Sequence, residues 1–279
     1  MRKNGDWEAY LVKYRLVAID LDDTLLNSNF EIGPCARRAL ALAQERGVMV
    51  TLATGRMYRS AQPIARELKL TAPLITYQGA LVKDAAGREY THYPVPLTLA
   101  REVIRYLQVR GHHINVYIND NLYLQHLNDV GTRYASVSRV PAHVVDDLVE
   151  VLALGPPTKV LAIAAPEEVD RLEQELAPAY AGKLHVTKSK PYFLEFSHPL
   201  ATKGRALALV ARQLGVPREA VLAIGDSYND LDMLAFAGLG AAVGNACPEA
   251  RAAAGYVAAA GEDAGVAEII ERFVLGETG

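Results

Sequence analysis

The stretch LVAIDLDDTLL, residues 16–26, places an apolar run directly in front of three aspartates. A short run of this kind is typical of a strand that is buried on both faces of a parallel sheet. Asp20 and Asp22 follow the run two positions apart, so on an extended chain their carboxylates would lie on the same side and repel each other. We therefore expect a cation to bind at the end of this strand.

The same alternation of apolar runs and helical patterns occurs near both ends of the chain. Further apolar runs lie at residues 48–53, 73–77, 220–226 and 239–244. Between the first two strands, Pro34 stands near the start of a helical pattern and Gly47 stands at its end, as helix boundaries favour. The sequence therefore predicts an α/β fold with a doubly wound, mostly parallel, Rossmann-like sheet.

The middle of the chain has a different pattern. Paired strand patterns mix there with helical patterns near residues 97–110 and 166–180, which is typical of an antiparallel sheet with helices on one face. The sequence thus predicts an α+β domain that is inserted into the α/β core. The predicted parts are a core of residues 1–84 and 197–279, with residues 1–13 as an N-terminal extension, and an inserted domain of residues 85–196.

Composition and charge exclude several classes of protein. Of the 279 residues 51% are hydrophobic and 22% charged, which fits an ordinary globular protein. A net charge of −3 gives no basic face for a nucleic acid, and no apolar run approaches the roughly 18 residues that span a membrane. Cys35 and Cys247 match no metal or redox spacing, which favours a reducing cytoplasm. We expect a cytoplasmic monomer or small homo-oligomer whose partner is a small molecule.

Charged side chains follow several of the predicted strands. In doubly wound sheets, ligands bind at the carboxyl ends of the strands. Asp226 and Asp230, in the stretch GDSYND, would add carboxylate oxygens to those of Asp20 and Asp22. A set of oxygen ligands without histidine or cysteine indicates Mg²⁺ and argues against zinc.

Two further residues near this edge suit an anion. Thr54 carries a hydroxyl beside a helix start, where backbone N–H groups favour an anion, and Lys203 supplies a compact positive charge. An anion beside a magnesium site indicates a phosphoryl group. Each residue alone is explained equally well or better as a turn residue, a helix cap or a surface lysine, so the prediction depends on their joint occurrence.

Short motifs occur along the chain in a recognisable order. They are DLDDTLL at 20–26, ATGR at 53–56, TKG at 202–204, and GDSYNDLDML at 225–234 followed by AVGNA. Together they resemble the motifs of the haloacid dehalogenase superfamily, specifically its Cof-type phosphatases, in which a large α/β cap is inserted before the lysine motif. The resemblance covers nearly the whole chain from about Tyr14.

The resemblance implies a role for each motif residue. Asp20 would be the nucleophile that forms an aspartyl-phosphate, and Asp22 would protonate the leaving oxygen and then take a proton from the attacking water. Thr54 and Lys203 would hold the transferring group in the catalytic step. The residues implied to bind the phosphoryl group are Thr54, Gly55, Lys203 and Asn229. The residues implied at Mg²⁺ are Asp20, Asp22 through its main-chain carbonyl, Asp226, and Asp230, the last by supporting the other ligands.

Three features depart from the family pattern. Asp23 stands where glycine is common, and Gln78 stands where asparagine is usual. Aspartate tolerates turn conformations, so we expect activity to survive the change at Asp23. The first dozen residues precede the usual start of the family, and one hypothesis is that translation begins near Val12.

The implied function is a Mg²⁺-dependent phosphatase that hydrolyses small phosphomonoesters under a mobile cap. Sugar phosphates, flavin mononucleotide and pyridoxal phosphate are all compatible with the motifs. Two alternatives stay open: a phosphomutase that passes the phosphoryl group back to a sugar, and a catalytically silent protein that binds a phosphorylated metabolite. The presence of Asp22 argues against the silent protein, because a mere binder has no need of a proton-transfer group.

Overall fold

The computed structural model describes residues 13–276, and the hypothesis of a start near Val12 concerns residues outside this range. A five-stranded parallel sheet forms the centre of the fold. In spatial order its strands are β14 (Tyr256–Val257), β13 (Leu239–Ala242), β12 (Val221–Gly225), β1 (Leu16–Ile19) and β2 (Met49–Leu52). Every residue of β1 is buried, as its apolar sequence predicts. The predicted α/β fold with a mostly parallel sheet is confirmed.

Helices cover this parallel sheet. They are α1 (Pro34–Glu45), α2 (Tyr58–Glu67), α6 (Lys203–Gln213), α7 (Leu231–Phe236), α8 (Pro248–Ala253) and α9 (Glu262–Ile270), followed by a π-helical turn at Glu271–Leu275. The first of them begins at Pro34, whose fixed φ suits a first helical position, and Gly47 follows its end with φ +81°. Pairs of helices pack together, α1 against α9 and α6 against α7.

The third predicted strand joins the parallel sheet only through a single bridge between Ala53 and Ile75. This strand, β3 (Leu74–Thr76), instead pairs antiparallel with β4 (Leu81–Lys83), which pairs with β5 (Glu89–His92). A turn through Tyr77, Gln78 and Gly79 connects β3 to β4, and all three residues have positive φ. Such a tight reversal leaves no room for the helical crossover that a parallel strand would need.

A six-stranded sheet occupies much of the segment predicted to be inserted. In spatial order its strands are β10 (His185–Lys190), β11 (Phe193–Ser197), β9 (Lys159–Ile163), β6 (His113–Ile118), β7 (Asn121–Leu124) and β8 (Ala142–Val144). All neighbours pair antiparallel except β7 and β8, which are parallel. The exception follows from helix α4 (Asp129–Ser138), which crosses between those two strands.

Two helices were expected in this segment and three occur. Helices α3 (Leu97–Val109) and α5 (Pro166–Ala179) confirm the patterns near 97–110 and 166–180. Helix α4 was not predicted because it has no apolar stripe, and Gly131 is its only buried residue. Its start is fixed instead by Asn128, whose side chain accepts a hydrogen bond from the Gly131 N–H at 3.0 Å.

The two faces of the six-stranded sheet differ in chemistry, because successive residues of a strand point to opposite faces. One face packs with residues of α3 and α5 into a second hydrophobic core, and it includes Ile114, Val116, Val160, Ala162, Leu194 and Phe196. The opposite face, which we name the polar face, carries Asn115, Tyr117, Lys159, Phe193 and Glu195. Lys159 and Glu195 are charged residues on a largely buried sheet surface, where charged residues are rare.

Nowhere between residues 13 and 276 does a helix combine the length and the apolar character needed to cross a bilayer.

Candidate active site

Asp20 and Lys203 form the centre of the site. Asp20 lies at the carboxyl end of β1, where its N–H donates to the Ile224 carbonyl at 3.0 Å. Lys203 opens α6 and is only 1% exposed. Its Nζ donates to Asp20 Oδ1 and, at 2.6 Å, to Asp230 Oδ1. Burial alone would lower the pKa of Lys203, but the two carboxylates raise it above its usual value, so the ammonium is charged.

Asp230 supports the loop after β12. Its Oδ2 accepts the backbone N–H groups of Asp226 and Ser227, both at 3.0 Å, while its Oδ1 accepts from Lys203. Both oxygens of this buried carboxylate are therefore engaged by the protein. Asp230 is thus built to hold the positions of Asp226 and Lys203.

Several buried carboxylates repel one another here. Burial raises the pKa of Asp20 well above its usual value, against the opposing effect of Lys203. Burial, and then the charge of Asp230, raise the pKa of Asp226 to about 6, although Thr24 Oγ1 donates to Asp226 Oδ1 at 2.7 Å. Carboxylates whose ionised form is disfavoured in this way gain stability from a bound cation.

The donor set fits a hard metal ion. One carboxylate oxygen each from Asp20, Asp226 and Asp230 lie within 4.8 Å of one another. Oxygen donors with room for further ligands suit Mg²⁺. The fourth predicted residue, Asp22, does not bring its carboxylate to this group, and its predicted contribution is the main-chain carbonyl.

The carboxylate of Asp22 is bound by Arg56 instead. Arg56 donates through Nε to Asp22 Oδ2 at 2.9 Å and through Nη2 to Asp22 Oδ1 at 2.6 Å. Burial raises the pKa of Asp22, but the hydrogen bonds and charge of Arg56 outweigh it, so the pKa lies below its usual value. No role was predicted for Arg56; its place directly after Thr54 and Gly55, in the loop that follows β2, was the available signal.

The loop after β2 approaches the site with Thr54 and Gly55. Thr54 is fully buried, and its Oγ1 accepts the Arg56 N–H at 3.1 Å. A Cβ added to Gly55 would stand 2.5 Å from Gln78 Nε2, so any larger residue there would displace the Gln78 side chain. Gln78 in turn accepts a hydrogen bond from Asn229 Nδ2 at 3.0 Å through its Oε1. The two predicted phosphate contacts, Gly55 and Asn229, are thus joined through Gln78.

Asp23, the first departure from the family pattern, has a left-handed backbone with φ +63°. This conformation explains why glycine is common at the position. Aspartate adopts it more readily than most residues, and here its carboxylate pairs with Lys190 of the six-stranded sheet. Asn245 Nδ2 also donates to the Asp23 carbonyl at 2.7 Å.

A cavity of about 910 Å³ lies between the carboxyl edge of the parallel sheet and the polar face. Five of the predicted site residues line it, namely Asp20, Asp22, Gly55, Asp226 and Asn229. The other three predicted residues, Thr54, Lys203 and Asp230, are fully or almost fully buried beside them. The opposite side of the cavity is lined by residues that were not predicted as site residues, among them Tyr134, Lys159, Phe193 and Glu195.

Known proteins resemble this chain over most of its length. Residues 17–270 match the family model described as haloacid dehalogenase-like hydrolase. The chain is 31% identical to HMP-PP phosphatase of Serratia proteamaculans, over 85% of this chain and 86% of that protein. It is 30% identical to a 5-amino-6-(5-phospho-D-ribitylamino)uracil phosphatase of Bacillus subtilis, over 92% of this chain and 97% of that protein.

A solved structure extends the match to three dimensions. The crystal structure of a haloacid dehalogenase-like hydrolase from Bacteroides thetaiotaomicron superposes with a TM-score of 0.85. It is 31% identical and covers 93% of this chain and 99% of its own. The chain therefore belongs to the haloacid dehalogenase-like hydrolases, within which it is a phosphoric monoester hydrolase.

Proposed function

We propose that the protein hydrolyses small phosphomonoesters in a Mg²⁺-dependent reaction through a phosphoryl group carried on Asp20. The observation that carries this proposal is the position of Asp20, which lies between the buried ammonium of Lys203 and the cavity. Lys203 holds one carboxylate oxygen, Oδ1, and the other oxygen is the one we assign to attack.

In the first step, an Asp20 oxygen forms a bond to phosphorus while the bond between phosphorus and the ester oxygen breaks. Asp22 delivers a proton to the departing oxygen, so the leaving group departs as a neutral alcohol. In the second step, Asp22 takes a proton from a water that attacks phosphorus, and the bond between phosphorus and Asp20 breaks. Inorganic phosphate and free Asp20 result, which completes the cycle.

The negative charge of the transferring group requires donors on several sides. Lys203 supplies a fixed positive charge, because the carboxylates of Asp20 and Asp230 keep its ammonium protonated. Thr54 supplies a hydroxyl and Gly55 a backbone N–H at the start of the turn before α2. Asn229, held by Gln78, supplies an amide.

Asp20 and Asp226 would hold Mg²⁺ together with the main-chain carbonyl of Asp22. The ion would neutralise charge on the phosphoryl oxygens. Asp230 would act by keeping Asp226 and Lys203 in place, since its two oxygens already accept three hydrogen bonds. The raised pKa values of Asp20 and Asp226 support a cation at this point.

The size of the cavity supports a small substrate. At about 910 Å³ it lies within the range of about 300–1,000 Å³ that is usual for small-molecule sites. One relative is named as a 5-amino-6-(5-phospho-D-ribitylamino)uracil phosphatase, and the compound in that name contains a uracil ring. We therefore propose phosphate esters of nitrogen heterocycles, a class that includes flavin mononucleotide and pyridoxal phosphate, beside the sugar phosphates that the motifs allow.

The experiment is phosphate release from a panel of these esters, with Mg²⁺ and with EDTA. Wild type and Asp20→Asn are compared in parallel, and circular dichroism shows that both are folded. We expect release that requires Mg²⁺ and is lost in Asp20→Asn. Release that survives EDTA, or that Asp20→Asn retains at the wild-type rate, would contradict the proposal.

A further inference from the structure

The polar face contains a buried ion pair that is expected to add little to the stability of the fold. Lys159 Nζ and a Glu195 oxygen lie 3.2 Å apart, and the residues are only 2% and 3% exposed. A buried pair of this kind contributes little net stability, because the loss of hydration offsets the attraction between the charges. Both residues line the cavity that Asp20 also lines, which is the space that a substrate would occupy.

Glu195 uses only one of its two carboxylate oxygens. Oε1 accepts a hydrogen bond from Ser189 Oγ at 2.6 Å and lies beside Lys159. Oε2 is buried, and it has no hydrogen-bond partner among residues 13–276. A buried acceptor without a donor is unfavourable, so an N–H or O–H group brought by a ligand would be stabilised here.

The ammonium of Lys159 already has partners within the protein. Its Nζ donates to the Gly55 carbonyl at 2.9 Å, in addition to its contact with Glu195. The same ammonium lies 5.2 Å from the centre of the Tyr117 ring. Lys159 therefore supplies the positive charge that pairs with the Glu195 carboxylate, and carboxylate oxygens accept hydrogen bonds. A second anionic group on the substrate would be repelled by Glu195.

Aromatic rings surround this part of the cavity. Phe193 and Tyr134 both line it and meet edge to face, with ring centres 5.7 Å apart. On the side of Asp22, Phe30 lies under the Arg56 guanidinium, 5.5 Å from its ring centre. Such walls favour a flat or ring-shaped group over an extended chain.

We propose that Glu195 selects the leaving group: this part of the cavity binds a small ring that carries an amino or hydroxyl donor and no second anionic group. The proposal rests on the proposed function, because phosphoryl transfer to Asp20 defines the leaving group. The donor hydrogen-bonds Glu195 Oε2, and the ring packs against Phe193 and Tyr134.

Matched aryl phosphates test the proposal on the unmodified protein. The para and meta isomers of aminophenyl phosphate are compared with the corresponding methylphenyl phosphates, which have similar size but no donor. A charge-assisted hydrogen bond predicts that at least one amino isomer exceeds its methyl counterpart in kcat/KM by about ten- to hundredfold. Values within about twofold for both isomer pairs would overturn the proposal.

Glu195→Gln tests the residue itself. Because Ser189 and Lys159 hold the oxygen side, the amide of glutamine would present N–H where Oε2 now lies. The preference for the amino ester is then expected to vanish or reverse. Asp170→Asn is the matched control: Asp170 also lines the cavity, but its side chain is 55% exposed and pairs with Lys188. This control is expected to keep the wild-type preference.

The outcomes separate this proposal from the proposed function. A folded Glu195→Gln protein that keeps the wild-type preference overturns the role of Glu195, whereas hydrolysis itself stands. If Glu195→Gln does not fold, the proposal is decided by the wild-type ratio of kcat/KM between the amino and methyl esters. If wild type releases phosphate from no ester, the proposed function fails. Calorimetric binding of the same ester pairs to wild type then decides, and equal affinities overturn the proposal.

Discussion

Arg56 binds Asp22 through both carboxylate oxygens, with Nε 2.9 Å from Oδ2 and Nη2 2.6 Å from Oδ1. Two parallel bonds from a planar guanidinium fix the position and the ionised state of a carboxylate. In this state Asp22 is ready to act as the base of the second step. To act as the acid of the first step, Asp22 must gain a proton, and this weakens its bonds to Arg56.

Arg56→Lys tests whether this clamp matters. Lysine keeps the charge but cannot form two parallel bonds, so we expect kcat for phosphate release to fall by about tenfold or more while the fold is kept. Steady-state kinetics on one good ester measure the loss. Arg59→Lys, an exposed change on α2, serves as control and should leave kcat unaltered. Equal kcat values for Arg56→Lys and wild type would show that Asp22 needs no clamp.

Gly55 and Gln78 give a prediction about coupling. In Gly55→Ala, the new Cβ would displace Gln78, whose Nε2 would lie only 2.5 Å away, and Asn229 would lose its partner. We expect kcat/KM to fall by about tenfold, the scale of a small misplacement in a site. Combining Gly55→Ala with Gln78→Ala should cost little more than Gln78→Ala alone, because contacting residues are not additive. Fully additive losses in this double-mutant cycle would refute the coupling.

The positive φ of Asp23 gives a prediction about stability. Asp23→Ala and Asp23→Gly both remove the partner of Lys190, so the difference between them reports the backbone alone. Glycine adopts a left-handed conformation freely, whereas alanine is destabilised there by about 1 kcal/mol or more. Urea unfolding should show the alanine variant to be less stable by that amount. Equal free energies of unfolding would mean that backbone strain does not explain the preference for glycine.

The acidic cluster predicts stabilisation by metal. Mg²⁺ at about 100 times its Kd should raise stability by roughly 2.7 kcal/mol, which corresponds to a rise in Tm of about 5 °C or more for a chain of this size. Asp226→Asn should abolish the rise, since it removes a ligand oxygen from the cluster. Asp170→Asn, outside the cluster, should keep it. A Tm that does not respond to Mg²⁺ in wild type would remove the basis for the metal site.

The site was predictable where local sequence and strand topology coincide. Asp20, Thr54 and Asp226 each follow an apolar strand, and parallel strands bring their carboxyl ends to one edge. The motif order then placed Lys203 and Asn229 with them. These predictions needed no knowledge of packing, because the backbone pattern alone fixes the edge.

Contacts between distant segments could not be predicted in this way. The pair between Lys159 and Glu195 joins neighbouring but non-consecutive parts of the six-stranded sheet, and Lys159 then reaches Gly55. Nothing in the local sequence distinguishes this lysine from a solvated one. Helix α4 was missed for a related reason, since its cap at Asn128 is a weaker signal than an apolar stripe.

The most direct test of the central claim is to find the phosphoryl group on the protein during turnover. Wild type is quenched in acid while it hydrolyses a good ester, and any acyl phosphate is trapped chemically. The protein is then digested with trypsin and analysed by mass spectrometry. Cleavage after Arg15 and Arg37 gives a peptide of residues 16–37 that contains the three aspartates of the loop after β1. The account predicts the modification at Asp20. Turnover that leaves no modified carboxylate, or a modification on Asp22 instead of Asp20, would contradict this prediction.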